Sequence, residues 1–230
     1  MSKYVLYAIG EIALVVIGIL IAIQINEWNR DRKLFNEELE SYSLIISDLK
    51  RDSLLFKSYK DYYSNFLNTY FQMNLIKNGQ GSFGNMTTDH LVMNIEFNAV
   101  TQQNHQANIE KLRNSEIREQ INNYFRRVSL VSQATFEFNK LIVEESRPFL
   151  IRENNVLDND KVFNNDNRAF PPSIGVSTID TLKLTEVFEQ KYFIPILSQL
   201  RMSMGFYLAS LERLMDENHK LIQSLELSLN

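Results

Sequence analysis

From residue 28 to residue 77 the chain has neither Gly nor Pro, and Phe35, Leu39, Tyr42, Ile46, Leu49, Ser53, Phe56, Lys60, Tyr63, Leu67 and Tyr70 follow at steps of three and four, nine of the eleven apolar. Side chains at those steps share one face of a 3.6-residue helix, so the spacing predicts one long amphipathic helix. The rhythm returns in Ile117, Ile121, Tyr124, Val128, Val131, Thr135, Phe138, Ile142, Glu145 and Phe149, with Asn114 placed to cap its start and Pro148 to end it. A third run, Phe193, Leu197, Leu200, Met204, Tyr207, Leu211, Leu214, Asn218, Leu221 and Leu225, is a heptad seam. It predicts a helix from about Leu182 to Leu229, kinked or restarted at Pro195. Between these runs, residues 78–84 hold three of the seven glycines and mark a loop near 78–88, followed by a short helix around 89–97. Residues 153–180, rich in Asn and Asp and carrying Pro171, Pro172 and Gly175, predict a long irregular connection. Stripes this wide are buried only by facing one another, which predicts an all-α, elongated antiparallel three- to four-helix bundle over 28–230.

The first 27 residues have a different pattern. Residues 4–25 read YVLYAIGEIALVVIGILIAIQI, with Glu11 and Gln24 the only strongly polar members. A helix of that length is about 33 Å long, the thickness of a bilayer core, and predicts one transmembrane span preceded by a short tail. Tyr4 and Tyr7 at one end and Trp28 at the other are placed as interface anchors, because such side chains join an apolar body to a polar tip. Ala8, Glu11, Val15, Gly18, Ala22 and Ile25 share an arc of about 100°, a contact seam where small residues let a second helix approach while the large aliphatics elsewhere face lipid. With no Gly or Pro from residue 19 to residue 77, the membrane helix can run on directly into the first bundle helix, although Asn26 and Asn29 are poor helix formers and offer a place for a bend at the membrane surface. Three roles are open to Glu11: its carboxylate reaches the near interface, it stays protonated and hydrogen-bonds across helices, or it relays protons or couples ions.

The segment YAIGEIALVVIGILIAIQINEWN, residues 7–29, resembles the opening signature of a family of single-pass membrane proteins of unknown function widespread in Bacteroidota, and NSEIREQINNYF, residues 114–125, echoes a second feature of that family. The resemblance implies a short cytoplasmic tail, one helix across the bacterial inner membrane and a helical periplasmic domain, and it implies no activity. This chain departs from the family by beginning MSK, where related chains often carry a longer basic stretch. Counting basic residues alone, Lys3 before the span against Arg30, Arg32 and Lys33 after it would put the domain in the cytoplasm. Large domains translocate regardless of such charges, so the periplasmic orientation is the expectation adopted.

Charge and composition then narrow the chemistry. Residues 28–230 carry 23 basic and 26 acidic residues without blocks, a solvated surface with no footprint for nucleic acid. There is no Cys, and His90, His105 and His219 are at no metal-ligand spacing, so no metal and no cofactor is expected. The glycine-rich loop lacks the phosphate-binding pattern, and no GxSxG, HExxH or EF-hand motif occurs. Asp216 with His219, and Glu144 with Glu145, read as solvated helix pairs. Asn218, polar on an apolar seam, either fixes helix register or oligomeric state or lies at a solvated helix end. The 25 Phe and Tyr residues serve core packing or line a ligand pocket. The expected function is therefore non-enzymatic: a membrane-anchored interaction or assembly protein, with the lipid bilayer as one partner, forming homo-oligomers or docking on a larger membrane complex through the apolar helix. The alternatives are a subunit of an ion-driven machine using Glu11, or a ligand-sensing periplasmic bundle.

Overall fold

The computed structural model describes residues 2–84, 86–163 and 178–229, with only the backbone described for 2–10, 12, 13 and 163. Among the described residues the structure is all-helical apart from one isolated antiparallel bridge between Leu157 and Ile179. Helix α1 runs from Ser2 to Lys77, 76 residues and about 114 Å, uninterrupted through Asn26 and Asn29. It ends as a Schellman motif: Gly79 takes φ +71°, its N–H donates to the Ile76 carbonyl, and the Gln80 N–H donates to the Leu75 carbonyl. Without a Cβ, Gly79 adopts that left-handed conformation at little cost.

Helix α2 spans Val100–His105 and α3 spans Ser115–Leu141; the Asn114 side chain accepts from the N–H groups of Glu116 and Ile117, as its cap position predicts. Pro148 does not end the helical path. Wide π-type turns carry it through Ile142–Ser146 and Pro148–Glu153, because a proline has no N–H to place in an α-ladder and its ring crowds the preceding turn, which a wider turn relieves. A short helix α4 covers Asn159–Phe163; α5 covers Thr181–Val187, capped by Asp180; α6 covers Phe193–Ser228 with Pro195 in its first turn. The long C-terminal helix is thus restarted at 188–192. Pro171, Pro172 and Gly175 lie outside the described residues; the ends of their connection are tied where Asp158 N–H donates to Thr178 O and Asp180 N–H to Val156 O.

Cross-helix pairs fix the topology. Lys50 meets Glu226 at 2.7 Å and Lys60 meets Glu212 at 2.8 Å, so α6 is antiparallel to α1. The Tyr124 hydroxyl reaches Asp52, and Phe138 packs on Phe66, so α3 is parallel to α1. The chain must therefore return along α1 between them, and residues 88–114 do so: His90 lies beside Thr69 and Tyr70, Glu96 beside Tyr63, Val100 beside Asp52 and Arg113 beside Glu38. The short helix expected near 89–97 is instead one 3₁₀ turn, Thr88–Leu91, followed by extended chain to Ala99.

This fourth rod is buried without a ladder of its own, so helix side chains supply its hydrogen bonds. Asn139 pairs with both N–H and C=O of Ile95, and Tyr63 Oη does the same for Glu96. The Ser146 hydroxyl donates to Leu91 O and the Arg147 guanidinium to Val92 O. All ten seam positions of α6 are buried. On α1 the bundle begins at Glu38; Phe35, expected on the core face, is exposed, and among the described residues no helix packs over it. Of the polar members of the α3 stripe, Thr135 is half-buried and Glu145 exposed.

Candidate functional site

Below Glu38, helix α1 leaves the bundle. Leu14, Val15, Val16, Ile17, Ile19, Leu20, Ile21, Ile23 and Ile25 are each between 48% and 74% exposed, and they occupy every side of the helix. Of the residues expected to form the contact seam, Glu11, Val15, Ala22 and Ile25 are exposed, and a Cβ added to Gly18 would meet nothing within 4 Å. The side chains of Tyr4, Tyr7 and Ala8 lie outside the described residues. Trp28 is 62% exposed, with the Arg32 guanidinium 5.9 Å from its ring centre. Among the described residues no helix is long and apolar enough to cross a membrane. The stretch 14–25, whose side chains are all described, is about 18 Å long, and the rest of the 22-residue apolar segment falls largely on residues whose side chains are not.

Inside the bundle, polar groups are paired between helices. Asn218 is buried on the α6 seam; its Oδ1 accepts from the Ser53 hydroxyl at 2.6 Å and its Nδ2 donates to Leu49 O at 3.1 Å. Asp52, fully buried, accepts from Val100 N–H at 2.6 Å, Thr101 N–H at 3.1 Å and the Tyr124 hydroxyl at 2.7 Å. Burial, and then the Asp52 charge, push the Tyr124 phenol far above its ordinary range, so it remains a donor. Glu38 accepts from the N–H groups of Arg113 and Asn114 and from the Tyr42 hydroxyl. His90 stacks on Phe66 with ring centres 4.0 Å apart and shares a 2.9 Å hydrogen bond with Thr69; burial pulls it down to about 4. Sequence patterns gave no sign of Glu38 and Asp52, because a lone acid on an amphipathic helix reads as solvated until its distant backbone partners are known.

The residues weighed for acid–base chemistry are dispersed. His219 and Asp216 are exposed on α6, where His219 contacts Gln223, and Glu144 and Glu145 are exposed on the π-type turn. No group of three His, Asp or Glu residues that could hold a metal occurs among the described residues.

A groove of about 840 Å³ lies at the base of the bundle, between α1 residues 30–45 and the return segment 104–113. Leu34, Leu44, Ile45, Ile109 and Leu112 supply apolar lining. Its upper end is closed by His105, whose Nε2 lies 3.0 Å from Asp48, with Asn104 Nδ2 2.8 Å from the same oxygen. At its lower end Arg113 reaches Asp31 at 3.8 Å. No protein-family model matches the chain, and no curated protein and no solved structure matches it.

Proposed function

We propose that this protein is a non-catalytic, membrane-anchored interaction protein, held in the bacterial inner membrane by the N-terminal part of α1, with the bundle on the periplasmic side. The observation that carries the reading is the apolar end of α1. Nine large aliphatic side chains stay about half-exposed on a helix attached to a bundle that has a closed core of its own. Leaving them in water costs on the order of 1 kcal/mol each, roughly 10 kcal/mol together, as much as the whole net stability of an ordinary domain. Apolar surroundings remove that cost, and the full segment 4–25 has the length and composition of a span. The likeness of residues 7–29 to the single-pass family of Bacteroidota supports the inner membrane and the periplasmic side.

Within the bilayer, Ala8, Glu11, Val15, Gly18, Ala22 and Ile25 form the face on which a second helix packs, since small side chains allow close approach and a carboxyl in hydrocarbon gains most from a partner. The chain then assembles as a homo-oligomer or docks on a membrane complex, and the bundle is held rigidly above the surface by the continuous α1.

Fractionation of the full chain tests this. It should sediment with membranes, resist a high-salt wash and be released only by detergent, as a particle heavier than one copy. Gly18→Leu should reduce that particle mass, while Leu20→Phe on the opposite face should not. A salt-extractable chain, or a single-copy detergent particle, would overturn the proposal.

A further inference from the structure

Three features of the basal groove converge on one class of ligand. The first is its place. Arg30, at its lower end, is five residues beyond Ile25, about 7.5 Å along α1, so under the membrane reading just given, on which this inference rests, the groove opens at the bilayer surface. The second is its apolar lining, contributed by Leu34 and Leu44, 41% and 58% exposed, and by the buried Ile45, Ile109 and Leu112. The third is the charge left over at its rim. Each lining acid is engaged: Glu38 by two backbone N–H groups and Tyr42, Asp31 by Arg113, and Glu37 by Lys33 at 3.8 Å. Among the described residues Arg30 has no carboxylate partner, and Lys111 donates only to the neutral side chain of Asn108, at 2.8 Å. The uncommitted charge is positive: Arg30 lies at the level where lipid headgroups end, and Lys111 lies farther along the groove, beside its apolar lining.

We infer that the groove binds an anionic amphiphile, with its anionic head at Arg30, the basic side chain of Lys111 adding to the attraction farther along, and an acyl chain between α1 and residues 104–113. That chemistry is shared by an anionic phospholipid of the adjacent leaflet and by a free fatty acid. Leu44 is nineteen residues beyond Ile25, about 28 Å, out of reach of acyl chains that stay in the bilayer. An indole at that position therefore reports only a chain that has entered the groove.

The full chain carrying Trp28→Phe and Leu44→Trp is reconstituted in phosphatidylcholine vesicles containing phosphatidylglycerol with brominated acyl chains, and indole fluorescence is read. Quenching at position 44 is expected, with none in a Trp28→Phe, Phe136→Trp control on α3. Adding Arg30→Gln and Lys111→Gln should return it to the unquenched value, as should moving the bromines to phosphatidylcholine. Quenching by a brominated fatty acid added to unbrominated vesicles, but not by brominated phosphatidylglycerol, would support the groove and assign a free acid as its ligand. Silence at position 44 with both probes, while Trp28 in the parent chain is quenched by brominated lipid, overturns the groove inference and leaves the membrane reading standing. If the parent chain does not float with vesicles, the membrane reading fails; the fatty acid is then tried without vesicles, and silence there overturns the groove as well. Ser41→Trp, on the same wall, is the second probe position should Leu44→Trp lose its cooperative thermal transition.

Discussion

The Ser53 hydroxyl donates to Oδ1 of Asn218 across 2.6 Å, so one of the two polar interruptions of the α1 seam meets the one polar interruption of the α6 seam. The amide nitrogen of Asn218 donates to Leu49 O, one turn earlier on α1. Sliding α6 by a heptad would separate the pair and, in the direction that carries Asn218 to Ile46, bury its amide against apolar residues, a penalty of about 1–3 kcal/mol for the unmet groups. Lys60, the other polar member of the α1 seam, meets Glu212 in the same alignment, though a pair this exposed adds little.

Asn218→Ala should therefore destabilise the full chain by about 1–3 kcal/mol, through the two interhelical hydrogen bonds lost and the space left behind, while Ser53 keeps Leu49 O as an acceptor at 3.1 Å. Ser53→Ala in that background should cost much less than it does alone, because the two side chains act as one unit. Thermal unfolding followed by circular dichroism in mild detergent measures the cycle. Additive losses would show that the pair has no energetic coupling.

Two acids on α1 repeat one device. Glu38 and Asp52 are fourteen residues apart, nearly four turns, and so lie on one face about 21 Å apart. Each accepts from two consecutive backbone N–H groups of the return segment and from one tyrosine hydroxyl. Asp52→Ala leaves three buried donors unmet and should cost about 3–5 kcal/mol. Glu38→Ala should cost less, about 1–3 kcal/mol, because the edge position of Glu38 lets water replace the carboxylate. Tyr124→Phe should recover part of the Asp52→Ala loss by removing one stranded donor, and the same unfolding measurement reads all three.

These pairings also mark where sequence reasoning ends. The three long helices follow from Leu39 to Tyr70, Ile117 to Phe138 and Phe193 to Leu225, because an amphipathic stripe is written in residues three and four apart. The return segment 88–114 is not written that way. Its backbone is held by Tyr63, Asn139 and Asp52, residues 33 to 49 positions away, and each of those is an ordinary polar or aromatic member of its own helix. Pro148 is a local signal that was outvoted: Phe149 and Leu150 bury themselves against the core, and wide turns reconcile that burial with the missing N–H. The exposure of Phe35 is the converse case, a seam residue that no helix covers among the described residues.

Gly79→Ala should destabilise the end of α1 by about 1 kcal/mol, because a Cβ at φ +71° is strained although nothing lies within 4 Å of it. The effect is local. Amide exchange at Asn78 and Gln80 should speed up while the core helices hold, and uniform acceleration across α6 would show that the turn is coupled to global unfolding.

His90 makes stability depend on pH in one window. Its ring stacks on Phe66 and is buried, which disfavours the charged form and lowers its pKa in the folded state from about 6.5 to about 4. Between those values the unfolded chain binds a proton that the folded chain does not, so stability rises with pH there. The contribution is fully present above about 6.5, falls as pH drops towards 4, and amounts to at most about 3 kcal/mol. His90→Asn, which keeps a polar atom near Thr69 but does not titrate, should flatten the unfolding temperature between pH 6.5 and pH 4 relative to the parent chain. Equal slopes for both proteins would place the acid sensitivity in other groups and show that the ring takes up its proton without opening the core.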